Sequence, residues 1–187
     1  MARKVGSTGR VYLEACSKRR SREFLLRVTQ SQKLHRPWLA APSTRTAFAA
    51  FVKRSQDVNR RSYFVCIAET RELAGVINIG EIVRGLFQSG YLGYYAFEPF
   101  SRQGYLSEGL ALVLDEAFGE LGLHRLEANI QPDNQASRRL VKRLGFRREG
   151  FSKRYLKIAG RWRDHERWAI LAEEWRTRDK RSRHAGR

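Results

Sequence analysis

The chain has 187 residues and a hydrophobic fraction of 42%, which suits one folded domain with a full core. It has no run of about 18 apolar residues, which excludes a helical membrane span, and the charged N-terminus lacks the apolar stretch of a secretory signal. Lysine and arginine number 37 against 19 acidic residues, and the net charge of +18 favours an anionic partner such as a nucleic acid or a nucleotide. We therefore expect a cytoplasmic protein without a membrane partner.

The first half of the chain predicts strands interspersed with two helices. Residues 1–10 form a basic N-terminal segment, and the folded domain is predicted over 11–175. Strands are expected at 11–16, 62–68, 73–82 and 90–97, and helices at 21–31 and from Ser43 onward. Cys16 and Cys66 match no metal or redox spacing and lie in apolar, strand-like runs, so we expect buried free thiols and no metal.

The second half changes to a helical period. Apolar residues follow helical spacing for four turns between Leu106 and Leu121, and Gly122 can end that helix. The pattern then predicts a strand at 125–130, a helix at 134–144, strands at 151–158 and 162–171, and a basic, disordered tail at 176–187. This order predicts a single α/β domain with a mixed central sheet of about seven strands and about four helices.

One candidate binding motif is the loop Ser101-Arg102-Gln103-Gly104-Tyr105-Leu106, between a predicted strand and a long helix. Backbone N–H groups in such a loop, together with the helix dipole, can bind a phosphate. Glycine allows the phosphate to approach closely because it has no Cβ. The alternative is an ordinary strand-to-helix connection.

A second candidate is the helix at 134–144. Asn134, Ser137 and Val141 are spaced three and four residues apart and share one helix face. A second face, predicted to point toward the core, carries Ala136, Leu140 and Leu144. The alternative is that Asn134 only caps the helix and that Ser137 is a solvated polar residue.

With both motifs present, the sequence resembles the GCN5-related N-acetyltransferase (GNAT) superfamily. The acetyl-coenzyme A loop of that family has the pattern Arg/Gln-x-x-Gly-x-Gly/Ala, and its next β-α unit often has Asn, a helix and Leu-Gly-Phe. Gly104 and the Leu144-Gly145-Phe146 segment match, whereas Ser101 and Leu106 depart at the outer loop positions. The resemblance implies a GNAT fold whose fourth and fifth strands are splayed, and Gly90 and Gly93 fit such a splayed strand.

A narrower resemblance covers nearly the whole domain. The segments LHRPWL, RQGYLSEGL and, most specifically, GFSKRYLKIAGRWRDH resemble ribosomal-protein alanine N-acetyltransferases of the RimJ type. This resemblance implies acetyl transfer from acetyl-coenzyme A to the N-terminal amine, often of alanine, of a ribosomal protein. Contact between the basic surface and ribosomal RNA is a further expectation.

The resemblance also implies roles for individual residues. The backbone of the loop is expected to hold the pyrophosphate, through Arg102, Gln103, Gly104, Tyr105, Leu106 and Ser107. Asn134 is expected to bind the pantetheine, Ser137 to face the thioester sulfur, and backbone N–H groups around Tyr95 to Phe97 to stabilise the oxyanion. The substrate side is expected to include His35, Trp38, Asp164 and His165, although His35 and Trp38 can equally be packing residues.

The proton transfers leave more than one candidate. Many relatives carry Glu at the position of Asn129, so the predicted catalytic set contains Asn129 together with Glu127, the first candidate for the base. Glu81, Asp164 and His165 are further candidates, and an α-amine with a pKa of about 7.7–8.0 needs only a weak base. The common tyrosine acid is replaced by Val141, so Ser137 is expected to stabilise the leaving sulfur, with Tyr94, Tyr95 and Tyr155 as alternatives.

Two other functions remain alternatives. One is acetylation of a small amine such as a polyamine, an amino acid or an aminoglycoside. The other is a non-catalytic ribosome- or RNA-binding protein with the same fold, which the missing Glu and Tyr would suit.

Overall fold

Eight strands form one mixed sheet in the computed structural model, which describes residues 4–185 and the side-chain burial of residues 6–178. The strands are β1 (Lys4–Ser7), β2 (Val11–Ala15), β3 (Arg61–Ile67), β4 (Leu73–Val83), β5 (Ser89–Ala96), β6 (Arg125–Ile130), β7 (Arg147–Ile158) and β8 (Arg161–Leu171). Six α-helices lie within the described residues: α1 (Ser21–Gln30), α2 (Gln32–His35), α3 (Arg45–Arg54), α4 (Tyr105–Phe118), α5 (Gln135–Arg143) and α6 (Ala172–Ala185). The predicted α/β domain with a mixed sheet is confirmed.

The one parallel pair of this sheet comes apart along its length. The strand order is β1-β2-β3-β4-β5-β6-β8-β7, and neighbours are antiparallel except β5 and β6. β5 and β6 pair as far as Leu92 and Ala128. Beyond that point β5 continues along β4 to Ala96, and β6 continues along β8 to Ile130. β5 and β6 are the fourth and fifth strands of the sequence prediction, which did not include β1. The gap between them confirms the predicted splay.

Helices cover both faces of the sheet. On one face α4 packs closely because Gly109 has no side chain; a Cβ there would lie 2.6 Å from a methyl group of Val65. On the other face α1 and α3 bring Phe24 and Phe48 together, with ring centroids 4.5 Å apart. β5 contributes side chains to both cores, so the strand that borders the gap is held from both sides.

The two cysteines are buried, as predicted. Within residues 4–185, no helix combines the length and the apolar character that a membrane crossing requires.

The structure contains three elements that the sequence pattern did not predict, which raises the strand and helix counts. β1 lies in the predicted basic N-terminal segment and pairs with β2 through Gly6 and Leu13; its four residues are too few for a detectable period. α2 is a single turn that follows α1 directly. α6 lies where a disordered tail was expected from residue 176, and Trp175 anchors it by donating from Nε1 to Asp115 Oδ1 at 2.8 Å. Residues 1–3 and 186–187 of the predicted terminal segments lie outside the described residues.

Candidate active site

A cleft of about 640 Å³ opens where β5 and β6 separate. Six of the predicted site residues line it: Trp38, Tyr95, Asn129, Asn134, Ser137 and His165. Its wall also includes Asn78, Glu81, Tyr91, Gly93, Tyr94, Gln131 and Tyr155. The structure places the other predicted residues outside this wall, namely His35, Phe97, Glu127, Asp164 and the loop from Arg102 to Ser107.

The backbone of β5 presents hydrogen-bond donors to the gap. The N–H of Phe97 donates to Ala74 O at 2.8 Å, so it points toward β4. Hydrogen-bonding direction alternates along an antiparallel pair, so the N–H of Tyr95 points toward β4 as well. The N–H groups of Tyr94 and Ala96 therefore point toward β6, where the strands have separated. The gap-facing donors are thus the immediate neighbours of the expected Tyr95 and Phe97.

His35 supports this backbone at Ala96. Its Nε2 donates to Ala96 O at 2.8 Å, and its buried ring packs edge-on against Tyr95 with centroids 5.1 Å apart. Burial lowers the pKa of His35. Trp38, three residues later, does reach the cleft, and its carbonyl accepts from Gln131 Nε2 at 3.2 Å. The predicted pair is therefore divided, with His35 supporting the strand and Trp38 bordering the cleft.

The first turn of α5 faces the gap. Asn134 caps this helix, since its Oδ1 accepts from the N–H of Ser137 at 3.1 Å. The hydroxyl of Ser137 lies 2.6 Å from the hydroxyl of Tyr94, whose pKa is raised by burial. Val141 is fully buried, whereas Ala136 is exposed, so the expectation that Ala136 faces the core is wrong. Because α5 packs against β6 beside the gap, the helix face that meets the cleft is also the face that meets the core.

A buried carboxylate fixes the position of α5. Glu166 on β8 is 5% exposed, and it receives Arg138 Nε at 3.0 Å and Arg148 Nε at 3.3 Å. The indole of Trp168 donates to the same carboxylate at 3.0 Å. Charge-assisted donors offset the cost of burying a carboxylate. Arg138 belongs to α5, so this cluster holds the helix, and with it Ser137, against the sheet.

The loop before α4 forms an anion-binding geometry. Arg102 and Gly104 have left-handed backbone conformations, with φ of 62° and 90°. The N–H of Glu108 donates to Gly104 O at 3.1 Å and is the first in α4 with a hydrogen-bond acceptor inside the helix. The N–H groups before it have no acceptor inside the helix. They lie at the positive end of a 14-residue helix, which favours an anion. Arg10, absent from the predicted site, braces the loop by donating from Nη2 to Gln103 O at 2.8 Å.

The carboxylates that were candidates for the base are already engaged. Glu127 accepts from Arg125 Nε at 2.9 Å and lies opposite Tyr91 in the parallel register. Glu81, on the cleft wall, is 61% exposed and forms an ion pair with Arg60. Asp164 is outside the wall, and its Oδ1 accepts the backbone N–H of Arg154 at 2.7 Å.

Aromatic side chains connect the β7–β8 hairpin to β5. His165 is 2% exposed, donates from Nδ1 to Arg163 O at 2.9 Å, and has its pKa lowered by burial. Its ring lies 6.2 Å from that of Tyr155. Burial raises the pKa of Tyr91, and the nearby groups Glu127 and Tyr155 raise it further. This side of the cleft wall is therefore mainly aromatic.

Asn78 is a cleft residue that sequence reasoning missed, whereas Gly93 was expected in the splayed strand and also lines the cleft. Asn78 interrupts an otherwise apolar stretch of β4, and the strand register puts it directly opposite Gly93. A polar residue in an apolar strand was the available signal. It could not be interpreted without the register that pairs β4 with β5.

A mixed sheet whose parallel pair separates beside an anion loop is the architecture of an acetyl-group transferase. The sequence pattern described as Acetyltransferase (GNAT) domain matches residues 10–147. The chain therefore belongs to the GNAT acetyltransferase family, and the predicted fold and enzyme class are confirmed.

Individual relatives support the same assignment. The probable N-acetyltransferase YjcK of Bacillus subtilis is 33% identical over 127 residues, which cover 68% of this chain and 70% of that protein. The ribosomal protein uS5-alanine N-acetyltransferase of Escherichia coli is 37% identical over 107 residues, or 57% of this chain and 55% of that protein. Among solved structures, Mycobacterium smegmatis RimJ in complex with CoA-disulfide superposes with a TM-score of 0.81 at 27% identity, covering 92% of this chain and 86% of that one.

Proposed function

We propose that this chain transfers the acetyl group of acetyl-coenzyme A to the N-terminal α-amine of a ribosomal protein that begins with alanine. Support comes from the Escherichia coli relative, a ribosomal protein uS5-alanine N-acetyltransferase, and from the RimJ structure with CoA-disulfide. The fold adds an open acceptor cleft beside gap-facing N–H groups. Because ribosomes are the site of such a target, we also propose that the protein acts in the cytoplasm.

The donor groups around the gap fit a pantetheine chain and its pyrophosphate. The N–H groups of Tyr94 and Ala96 have no sheet partner on that side and can donate to carbonyl oxygens of the cofactor. The N–H groups of residues 102–107 can hold a pyrophosphate at the start of α4. Acetyl-coenzyme A supplies the acetyl group as an activated thioester. We assign Asn134 to the pantetheine and Ser137 to the sulfur, since both line the gap.

The scarcity of acidic groups in the cleft is the observation that favours a protein N-terminus over a small polycationic amine. The one carboxylate in the described cleft wall is that of Glu81, which is exposed and already paired with Arg60. A polyamine or an aminoglycoside carries several positive charges and would need several free carboxylates. A peptide N-terminus has one amine and an apolar first side chain, which suits walls formed by Trp38, Leu39, Phe51 and Leu156.

The chemistry of an α-amine also fits the absence of a free carboxylate from the described wall. The reaction forms an N–C bond to the acetyl carbon, breaks the C–S bond and releases one proton from the amine. Deprotonation at neutral pH costs an α-amine about 1 kcal/mol, against about 4–5 kcal/mol for a lysine side chain. We therefore assign the proton to water in the cleft. Glu127, which borders Tyr91, and His165 in the cleft wall are the alternative protein acceptors for it.

The Ser137–Tyr94 pair is suited to the departing thiolate. The two hydroxyls lie 2.6 Å apart at the cleft wall, so one can donate to the sulfur while the other supports it. Burial keeps the phenol of Tyr94 protonated, since it raises the pKa of that group. We assign Ser137 the contact with sulfur and Tyr94 the supporting role.

The basic surface fits a substrate carried on the ribosome. The β7 strand presents five exposed basic side chains against one acidic side chain, Glu149. These basic residues are Arg147, Arg148, Lys153, Arg154 and Lys157. The positive electrostatic potential of these side chains would attract the phosphates of ribosomal RNA and hold the enzyme near them. We propose that the β7–β8 hairpin makes this contact.

A thiol-release assay with a panel of acceptors tests the proposal. We expect turnover of peptides that begin with alanine, and none when the same peptides are blocked at the N-terminus and keep an internal lysine. Acetyl-coenzyme A alone is the control. Preferential turnover of spermidine would favour the small-amine function instead. Binding of coenzyme A without turnover of any acceptor would favour a non-catalytic role.

A further inference from the structure

Two amide side chains in the cleft have unpartnered carbonyl oxygens. The Oδ1 atoms of Asn78 and Asn129 are buried and have no hydrogen-bond partner among the described residues. Both side chains contribute to the cleft wall. A buried acceptor without a donor is costly, and native structures rarely leave one unexplained. A ligand that brings N–H donors into the cleft, and toward which each amide can turn, would remove this cost.

These two residues flank an open space at Gly93. Asn78 lies opposite Gly93 in the β4–β5 register. Asn129 follows Ala128, the last residue of β6 paired with β5, and the pairing of Tyr91 with Glu127 puts Asn129 on the same sheet face as Gly93. A Cβ built on Gly93 would meet no atom within 4 Å, and this glycine does not have a left-handed φ. The lack of a side chain at Gly93 therefore serves to keep space free, not to permit a turn.

We propose that Asn78, Gly93 and Asn129 form an amine cradle, which receives the α-amine and the first peptide N–H of the acceptor. The inference rests on the proposed N-terminal acetyltransferase activity and specifies how that site selects its substrate. Amide carbonyls accept N–H groups without carrying a charge. A carboxylate in the same place would favour the ammonium form and raise the pKa of the bound amine. The cradle thus binds the amine in its uncharged, nucleophilic form and discriminates against lysine and polycations.

Two alanine variants test the hydrogen bonds. Asn78→Ala and Asn129→Ala should each lower kcat/KM for an alanine peptide by about tenfold, the effect of one lost hydrogen bond to a substrate. The dissociation constant of coenzyme A, measured by calorimetry, should stay within about twofold because the cradle contacts the acceptor. Asn59→Ala is the matched control, since Asn59 is exposed and lies outside the cleft. It should match the wild-type chain in both measurements.

Two further variants test the space and the missing charge. Gly93→Ala puts a methyl group into the cradle without backbone strain, so peptide KM should rise while the melting temperature is retained. Asn129→Asp introduces a carboxylate, so the limb of the kcat–pH profile that reports the bound amine should move to higher pH. The titratable groups of the described cleft wall are Arg54, Glu81, Tyr91, Tyr94, Tyr95, Tyr155 and His165, and Glu127 lies two residues before Asn129 on the same face of β6. They are the same in both proteins, so the difference between the profiles reports position 129.

The outcomes separate this inference from the proposed function. If the wild-type chain acetylates no peptide, the proposed function fails before the variants are compared. If it acetylates peptides and the two alanine variants and Gly93→Ala retain wild-type kcat/KM, the cradle is refuted while the function stands. Variants that lose only thermal stability, with an unshifted pH profile for Asn129→Asp, would likewise show that these residues are structural and overturn the cradle.

Discussion

Replacing Ser137 with alanine removes the hydroxyl that lies 2.6 Å from the phenol of Tyr94. The helix cap survives, because it joins the backbone N–H of Ser137 to Asn134 Oδ1. If this hydroxyl stabilises the departing sulfur, turnover should fall about 10²–10³-fold, as it does when one donor to a developing charge is removed. The Michaelis constant for acetyl-coenzyme A should change much less, since the interaction develops in the transition state.

The stability effects of Ser137→Ala and Tyr94→Phe should be unequal. Ser137→Ala leaves the buried phenol of Tyr94 without its partner, which costs about 1–3 kcal/mol. Tyr94→Phe removes the buried hydroxyl itself and leaves a serine at the cleft wall, where water can replace the bond. Thermal unfolding should therefore show the larger loss for Ser137→Ala, at about 2–4 °C per kcal/mol for a chain of this size.

The double variant decides whether the two hydroxyls act together. Thiol release with an alanine peptide is measured for both single variants and the double variant. We expect the double variant to be about as slow as Ser137→Ala, because groups that act as one unit are non-additive. Wild-type turnover in Ser137→Ala, together with a lower melting temperature, would falsify the assignment and leave a structural hydrogen bond.

Gly104→Val should raise the dissociation constant of coenzyme A at least about tenfold in calorimetry, because a side chain is strained at φ 90° and obstructs the loop's N–H groups; unchanged affinity in a folded variant would remove this loop from the site. In Glu127→Gln, kcat/KM should still fall at low pH with the pKa of the free amine, about 7.7–8.0. If the variant's kcat/KM no longer falls at low pH, Glu127 is the base. Burial lowers the folded-state pKa of His35, so the unfolded chain binds more protons and the free energy of unfolding should decrease as pH falls below about 6.5. His35→Gln should flatten that decrease in denaturant titrations at several pH values, and an unchanged slope would contradict the argument. Co-sedimentation with ribosomes should weaken steeply between about 50 and 300 mM salt, since each neutralised phosphate releases counterions; salt-insensitive binding would exclude docking through the basic surface.

Local features of the site were predictable from short stretches of sequence. Asn134 does cap α5, since the capping interaction spans three residues. α4 begins at Tyr105, one residue from the predicted boundary, and Gly104 lies directly before it in the loop. The apolar period of α4 identified its buried face, including Leu110, Val113 and Leu114. The family followed from motifs in the loop before α4 and in the segment around α5.

The arrangement around the gap depended on contacts between distant parts of the chain. The alternation of hydrogen bonds along β5 makes the N–H groups of Tyr94 and Ala96 the donors that face the gap. If the β4–β5 register shifted by one residue, the N–H groups of their neighbours would face the gap instead. Asn78 and Asn129 are far apart in sequence, and Gly93 lies between them because β4, β5 and β6 are adjacent in the sheet.

Pairing and packing likewise decided what the isolated motifs could not. The sequence made Glu127 the first candidate for the base, but in the fold Arg125 donates a hydrogen bond to its carboxylate. The sequence of α6 is basic with little apolar content, yet the helix packs against the domain because the indole of Trp175 donates a hydrogen bond to Asp115 on α4. The sequence alone therefore determined the family, the loop and the cap, which depend on neighbours within a few residues. Only the tertiary structure decided which donors, amides and carboxylates are free to meet a substrate, because burial and partners are set by strands and helices that are distant along the chain.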